Sequence, residues 1–196
     1  TYDTAGTTGN VLVRNNTVLE SNQGILLVGS LKQVCVVGNR IGFSEGVGLQ
    51  LEKLLPGTED VLIANNTVVE SAAGFRYWDN GKTPPKRKGI RLSNNLILKS
   101  AQADMMFLDS GGDPFNPRGP GEGASLHGAW RWEHNWRETK VLSGNGIYEE
   151  SWIPIATGDK REEEITQLNR DAKSADFLQP AKDSPLATAG VGGDLP

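Results

Sequence analysis

The chain lacks several features that would assign it to common classes. It has one cysteine, Cys35, among 196 residues, which excludes an internal disulfide and a cysteine-rich zinc site. It has no basic surplus: 20 Lys and Arg stand against 24 Asp and Glu, for a net charge of −4 at pH 7. Proteins that bind duplex nucleic acid normally carry a basic surplus or stripe, so we expect no nucleic-acid partner. No apolar run approaches the roughly 18 residues of a membrane helix, so we expect no membrane span.

Apolar residues are also scarce, at 37% of the chain, whereas glycine supplies 24 residues. Turn-forming residues fill the deficit, and this composition predicts many short strands joined by many turns. Charged residues make up 22% with both signs mixed, which argues against wholesale disorder.

A repeat built around an asparagine runs through the first half of the chain. Four copies carry Val or Ile five residues before this asparagine, an apolar residue three before and two after, and a serine five after. A fifth, weaker copy spans residues 130–136, with Trp130 and Trp132 at the two apolar positions before the asparagine. Successive copies are 23, 27, 29 and 40 residues apart, and their asparagines are Asn16, Asn39, Asn66, Asn95 and Asn135.

The apolar residues alternate with period two before the asparagine, which indicates strands rather than helices. A second strand follows in three copies, at residues 24–28, 48–52 and 74–78. Two or three short strands in a 20–30-residue period are typical of a β-solenoid, in which equivalent residues stack in columns. The five repeat asparagines should therefore form a ladder of side-chain hydrogen bonds along the solenoid.

The pattern from Gly9 to Tyr148 resembles the right-handed parallel β-helix repeat of pectate-lyase-like proteins, in the form found in bacterial multidomain proteins. We therefore expect an all-β fold, a right-handed parallel β-helix of about five coils within residues 1–155, with loop insertions at 79–88 and 109–128. Residues 156–196 should form a short helix, over 159–170, and a capping tail that covers the last coil. Few residues precede the first coil, so we expect preceding coils or domains of the same chain.

The strand alternation places a candidate ligand-binding column on the outward side of the second strands. Adjacent coils lie about 4.8 Å apart, so an acid, a cation and an aromatic ring from neighbouring coils should meet there. Such a set suits a sugar. The candidate ligand-binding residues are Gln50, Glu52, Arg76, Trp78 and Trp136. A surface ion pair beside an exposed tryptophan is the simpler interpretation of the same residues.

The resemblance also implies candidates for catalysis and for a metal. Glycan lyases of this fold use a Lys or Arg base with Ca²⁺ or another cation, so the catalytic candidates are Glu52, Arg76 and Asp109. Asp109 and Asp113 are a weak Ca²⁺ candidate, for which ordinary turn formation is the alternative. The only two histidines, His127 and His134, have no third ligand at a spacing typical of zinc sites.

Three functions remain open at this point. The chain is a carbohydrate-binding or structural β-helix module of a larger bacterial protein, with a polysaccharide or oligosaccharide as the partner. One alternative is a polysaccharide lyase or hydrolase that acts on an acidic glycan. The other is a sensor or scaffold segment of a multidomain protein, such as one that contains a kinase domain. The expected location is extracellular or periplasmic.

Overall fold

Each copy of the repeat folds into three short strands that stack on the strands of the next copy. The computed structural model describes residues 7–52, 54, 57–79, 88–109, 130–133, 135–137, 141–143, 146–147, 169, 171 and 173–179. Within these ranges every regular element is a β-strand. The strands are β1 (Thr7–Arg14), β2 (Thr17–Leu19), β3 (Gln23–Val28), β4 (Ser30–Val37), β5 (Arg40–Gly42), β6 (Val47–Glu52), β7 (Glu59–Ala64), β8 (Thr67–Val69), β9 (Ala73–Asp79), β10 (Lys88–Ser93), β11 (Leu96–Leu98), β12 (Ala103–Asp109), β13 (Trp130–Glu133), β14 (Trp136–Arg137), β15 (Val141–Ser143) and β16 (Gly146–Ile147).

The strands form three sheets that run the length of the solenoid. The first sheet has the order β1-β4-β7-β10-β13, the second β2-β5-β8-β11-β14 and the third β3-β6-β9-β12-β15-β16. Every pairing is parallel except that of β15 with β16, which is antiparallel. The predicted all-β parallel solenoid is therefore confirmed.

The core is a set of apolar columns enclosed by the three sheets. In the first sheet Val13 pairs with Val36, Val36 with Ile63, and Ile63 with Leu92, which is the column that the aligned repeat predicts. From Val36 onward these side chains are at most 1% exposed. The second sheet adds Ile41, Val68 and Ile97 to the same cluster, and the third adds Leu49, Phe75 and Met105.

The corners between sheets explain why asparagines occur in pairs. The first corner holds a residue with positive φ in each of the first four coils, namely Asn15, Gly38, Asn65 and Asn94. Asparagine and glycine adopt this left-handed conformation more readily than other residues. The first asparagine of each pair therefore makes the turn, while the second belongs to the ladder.

A glycine is required where β6 enters the third sheet. A Cβ atom on Gly48 would overlap Val68 Cγ1 and would lie 3.0 Å from the backbone oxygen of Gly74. The absence of a side chain thus allows the second and third sheets to approach each other at this corner.

Part of the predicted capping tail, residues 176–179, lies in the described part of the structure. Phe177 and Leu178 pack on the outer face of the second sheet. Residues 180–196, the rest of that tail, lie outside the described residues. The Phe177 ring lies 6.4 Å from that of Phe43, and Arg40 donates a hydrogen bond of 2.8 Å to the backbone oxygen of Ala175. The predicted helix over 159–170 and most of the two loop insertions lie outside the described residues.

Candidate functional site

The predicted asparagine ladder is confirmed, and it is fully hydrogen-bonded in its centre. Asn66 Nδ2 donates to Asn95 Oδ1 at 2.9 Å and to the backbone oxygen of Val36 at 2.9 Å. Its Oδ1 accepts from both the Nδ2 and the backbone N–H of Asn39, at 2.9 and 3.0 Å. The same pattern links Asn16 to Asn39 and Asn95 to Asn135. These amides are thus structural, since their hydrogen-bonding capacity is used between coils.

The structure brings together three members of the predicted ligand-binding column on the third sheet, and two of the three are buried. Gln50 and Glu52 are only 2% and 7% exposed. Arg76 Nη2 donates to Gln50 Oε1 at 2.7 Å, and Gln50 Nε2 donates to Glu52 Oε2 at 3.0 Å. Burial lowers the pKa of Arg76, and the charge of Glu52 opposes this shift. The alternation gave the right direction for these side chains, away from the core, but it contains no information about what covers them.

Of the other predicted site residues, Trp136 is buried and the rest lie outside the side chains that the structure describes. Trp136, expected to stack on a sugar, is 6% exposed and packs with Leu96, Leu98 and Phe177 on the second sheet. Position 78 pairs with Glu52 and position 109 with Asp79 through the backbone, but the side chains of Trp78 and Asp109 lie outside the described part. Asp113 and both histidines also lie outside it.

A groove that the sequence analysis missed lies on the outer face of the first sheet. Its volume is about 540 Å³. We call it the first-sheet groove, and it is lined by Gln33, Cys35, Asp60, Val61, Leu62, Gly89, Ile90 and Arg91. It crosses three consecutive coils, because these residues belong to β4, β7 and β10.

The groove follows a column of residues with positive φ. Asn10, Gln33, Asp60 and Gly89 have φ of 55°, 52°, 56° and 67°, and the strand register skips this position in each pairing. The offset between paired strands is the same before and after this position, so no residue is inserted. Each strand instead has one residue in the left-handed conformation, and the pairing is interrupted there. Asn10, Asp60 and Gly89 are residue types that adopt the left-handed conformation more readily than most, whereas Gln33 is less characteristic.

A triad of ion-paired side chains lies beside the groove, near the N-terminal ends of β4, β7 and β10. Glu59 lies between two lysines, 3.1 Å from Lys32 Nζ and 2.9 Å from Lys88 Nζ. Hydrogen bonds from Lys88 and Lys32 hold the pKa of Glu59 below its ordinary value, and Glu59 in turn raises the pKa of Lys88. Inside the groove, Arg91 is exposed and forms no ion pair with any residue of the described part.

The described part of the chain has neither a group of metal ligands nor a membrane-spanning helix. It contains no group of three or more His, Cys, Asp or Glu side chains that could hold a metal ion. It also contains no helix that is long and apolar enough to cross a membrane. The Ca²⁺ candidate formed by Asp109 and Asp113 falls outside the side chains that the structure describes.

The chain is similar to a known protein family. Neither the curated proteins nor the solved structures match this chain. The match is to a family model described as periplasmic copper-binding protein (NosD), which aligns with residues 4–114. This segment contains most of the stacked coils, including the first-sheet groove. Because the match covers more than half of the 196 residues, the chain belongs to the NosD family.

Proposed function

We propose that this chain is a periplasmic β-helix module that binds an oligosaccharide in the first-sheet groove. The observation that carries the proposal is the mixture of groups along the groove, where a carboxylate, an amide and a guanidinium surround half-buried Leu62 and Cys35. The periplasmic location is supported by the description of the NosD family.

The chemistry of the groove suits a sugar because a sugar ring presents hydroxyl groups at its edge and C–H groups on its faces. Asp60 can accept hydrogen bonds from hydroxyls, Arg91 can donate them, and the Gln33 amide can do both. Leu62 and Cys35 offer apolar area for a C–H face. Sites for small molecules commonly combine an apolar lining with a few polar groups that fix the orientation of the ligand.

The arginine favours an acidic sugar over a neutral one. A guanidinium binds a carboxylate through two parallel hydrogen bonds, which are stronger than those between neutral groups. Position 131, which pairs with Arg91 in the next strand of the sheet, is also an arginine. A uronate-containing oligosaccharide that extends along the solenoid axis would thus meet arginine positions on successive coils.

The lyase or hydrolase alternative relies on Glu52, Arg76 and Asp109. Glu52 is buried and accepts a hydrogen bond from Gln50. In the first-sheet groove, by contrast, Asp60 and Arg91 are exposed and can contact a ligand directly. For this reason we assign the proposed ligand to the groove and not to the third sheet.

The copper in the description of the family does not fit the residues that the structure describes. Copper prefers imidazole, thiolate and thioether ligands. Cys35 lies on the outer side of the first sheet, Met105 in the core cluster and Met106 in a separate apolar cluster of the third sheet, so the three sulfur side chains do not converge on one site. We therefore assign no copper role to the described residues.

Calorimetric titration with an oligogalacturonate tests the proposal. We expect the wild-type chain to bind it more tightly than a neutral cello-oligosaccharide of equal length. Arg91→Ala should weaken binding about 10- to 100-fold, because a hydrogen bond to a charged group contributes about 1.5–3 kcal/mol. Analysis of the recovered ligand for unsaturated or shortened products tests the enzyme alternative in the same samples.

Arg14→Ala is the matched control. Arg14 is an exposed arginine of the first sheet, and it lies outside the groove lining. Its removal should leave affinity unchanged. No binding of either oligosaccharide, or an equal loss in both variants, would contradict the proposed function.

A further inference from the structure

The first-sheet groove carries opposite charges on adjacent coils. Asp60 belongs to β7 and Arg91 to β10, and both side chains are exposed and line the groove. Arg91 pairs with Leu62, two residues beyond Asp60, so the two charged positions are diagonal neighbours about 8 Å apart at Cα. An oligosaccharide with acidic groups alone would therefore match only one of the two charges.

Neither Asp60 nor Arg91 forms an ion pair with a residue of the described structure. The two lysines beside the groove bind Glu59 instead, at 3.1 Å for Lys32 and 2.9 Å for Lys88. Glu59 and, to a smaller extent, Asp60 raise the pKa of Lys88, but the hydrogen bond of its ammonium goes to Glu59. The carboxylate of Asp60 and the guanidinium of Arg91 are thus both available to a ligand.

A glycine keeps the space beside Asp60 free of a neighbouring side chain. Gly89 is the residue of β10 next to Asp60, and it lies two residues before Arg91. A Cβ atom on Gly89 would lie 2.9 Å from Asp60 Oδ1, so any larger residue would crowd this carboxylate. The floor of the groove between the two charges is therefore backbone, which leaves room for a ligand to reach both.

We propose that the oligosaccharide bound in the first-sheet groove carries a free amine in addition to a carboxylate. This inference rests on the proposed function and names the class of sugar. The ammonium of the ligand would donate hydrogen bonds to the Asp60 carboxylate and the Gln33 amide oxygen, and its carboxylate would accept two from Arg91. Leu62, which is half-buried beside Arg91, would contact the C–H face of the sugar ring.

A pure polyuronate fits the groove less well. When one of its carboxylates binds Arg91, the carboxylate of a neighbouring sugar comes close to Asp60, and the like charges repel. A chain that alternates an amino sugar with a uronate places an ammonium there instead. Asp60 thus selects among the acidic oligosaccharides that Arg91 attracts.

Two tetrasaccharides that differ only at nitrogen test the proposal. The first alternates glucuronate with N-acetylglucosamine, and the second is the same compound after N-deacetylation. Calorimetric titration at about pH 6 keeps the free amine protonated. We expect the wild-type chain to bind the N-deacetylated compound about five- to tenfold more tightly, because one more charged hydrogen bond forms at a partly screened site. The carboxylates are common to both, so the difference measures the amine.

Asp60→Asn should remove this preference without weakening the binding of the acetylated tetrasaccharide. Glu45→Gln is the matched control, since Glu45 is an exposed carboxylate outside the groove lining and its loss changes the net charge equally. This variant should keep the wild-type preference. Arg91→Ala should weaken the binding of both compounds, because both contain the carboxylate.

The outcomes separate this inference from the proposed function. Equal affinity of the wild-type chain for the two tetrasaccharides, or a preference that persists in Asp60→Asn, would overturn the inference alone. Binding of oligogalacturonate but of neither tetrasaccharide would also overturn it. Failure of all three ligands to bind would overturn the proposed function together with the inference.

Discussion

At the scale of single residues, the two asparagines of each repeat have separate physical roles. Asn65 has φ of 53° and makes the corner, whereas Asn66 is fully buried and connects three successive coils. An alanine at the second position would leave several buried polar groups without partners. Such groups lower the stability of the folded state, because they lose their hydrogen bonds to water and form none within the protein.

Asn66→Ala should therefore destabilise the chain by about 1–3 kcal/mol in urea or thermal unfolding. The matched variant is Asn16→Ala, at the exposed end of the ladder, which should cost about 1 kcal/mol or less because water can replace its partners. Equal losses in the two variants would contradict the role of the ladder.

The triad around Glu59 makes a prediction about pH. The two lysines lower the pKa of Glu59 below its ordinary value of 4.5, so its contribution to stability is present above that value and is lost as the pH falls through the lower pKa of the folded state. Wild type should thus be more stable than Glu59→Gln near neutral pH, by a small amount that salt reduces.

Melting temperatures as a function of pH check this expectation. The difference between wild type and Glu59→Gln should shrink as the pH falls below 4.5. Glu45→Gln, at an exposed residue that has no ion pair in the described part, is the control and should follow wild type. A difference between wild type and Glu59→Gln that is constant with pH would argue against the triad.

At the scale of elements, the sequence predicted the stacked strands because each coil repeats the same pattern of apolar residues that must be buried. The alternation before the asparagine identified β1, β4, β7 and β10, and the later apolar runs identified β3, β6 and β9. The three-residue strands of the second sheet were indicated only by a single apolar residue two positions after the asparagine of each copy, such as Val18 and Ile41. The tail could not be placed, because Phe177 and Leu178 belong to no repeat and their contacts are made across the chain.

The tail provides a test at this scale. Phe177 is 2% exposed and packs against the apolar outer face of the second sheet, so Phe177→Ala should cost about 3–5 kcal/mol of stability. Leu12→Ala, at a leucine that is 63% exposed on the first sheet, should change stability by about 0.5 kcal/mol or less. Thermal unfolding measures both variants, and a loss for Phe177→Ala no larger than that for Leu12→Ala would show that the tail does not hold the second sheet.

At the scale of the whole molecule, stacking converts small features of one coil into a continuous surface. One left-handed residue per coil would be a local irregularity, but Gln33, Asp60 and Gly89 align along a groove that crosses three coils. The repeat predicted which residues would stack, and it therefore brought Gln50 and Arg76 together correctly. It could not predict the burial of Gln50, because alternation specifies only the face on which a side chain lies. Nor could it predict the groove, which depends on the conformation of one backbone position in each strand.

The most direct test of the central claim is a chemical-shift map of oligogalacturonate on the ¹⁵N-labelled full-length chain. The account predicts that the largest shifts fall on the amides of Gln33, Asp60, Leu62 and Arg91, on the outer face of the first sheet. It also predicts that the amides of Gln23, Gln50 and Arg76 on the third sheet change little, since their side chains are hydrogen-bonded to one another. Shifts centred on the third sheet, or no shifts at saturating ligand, would contradict the account.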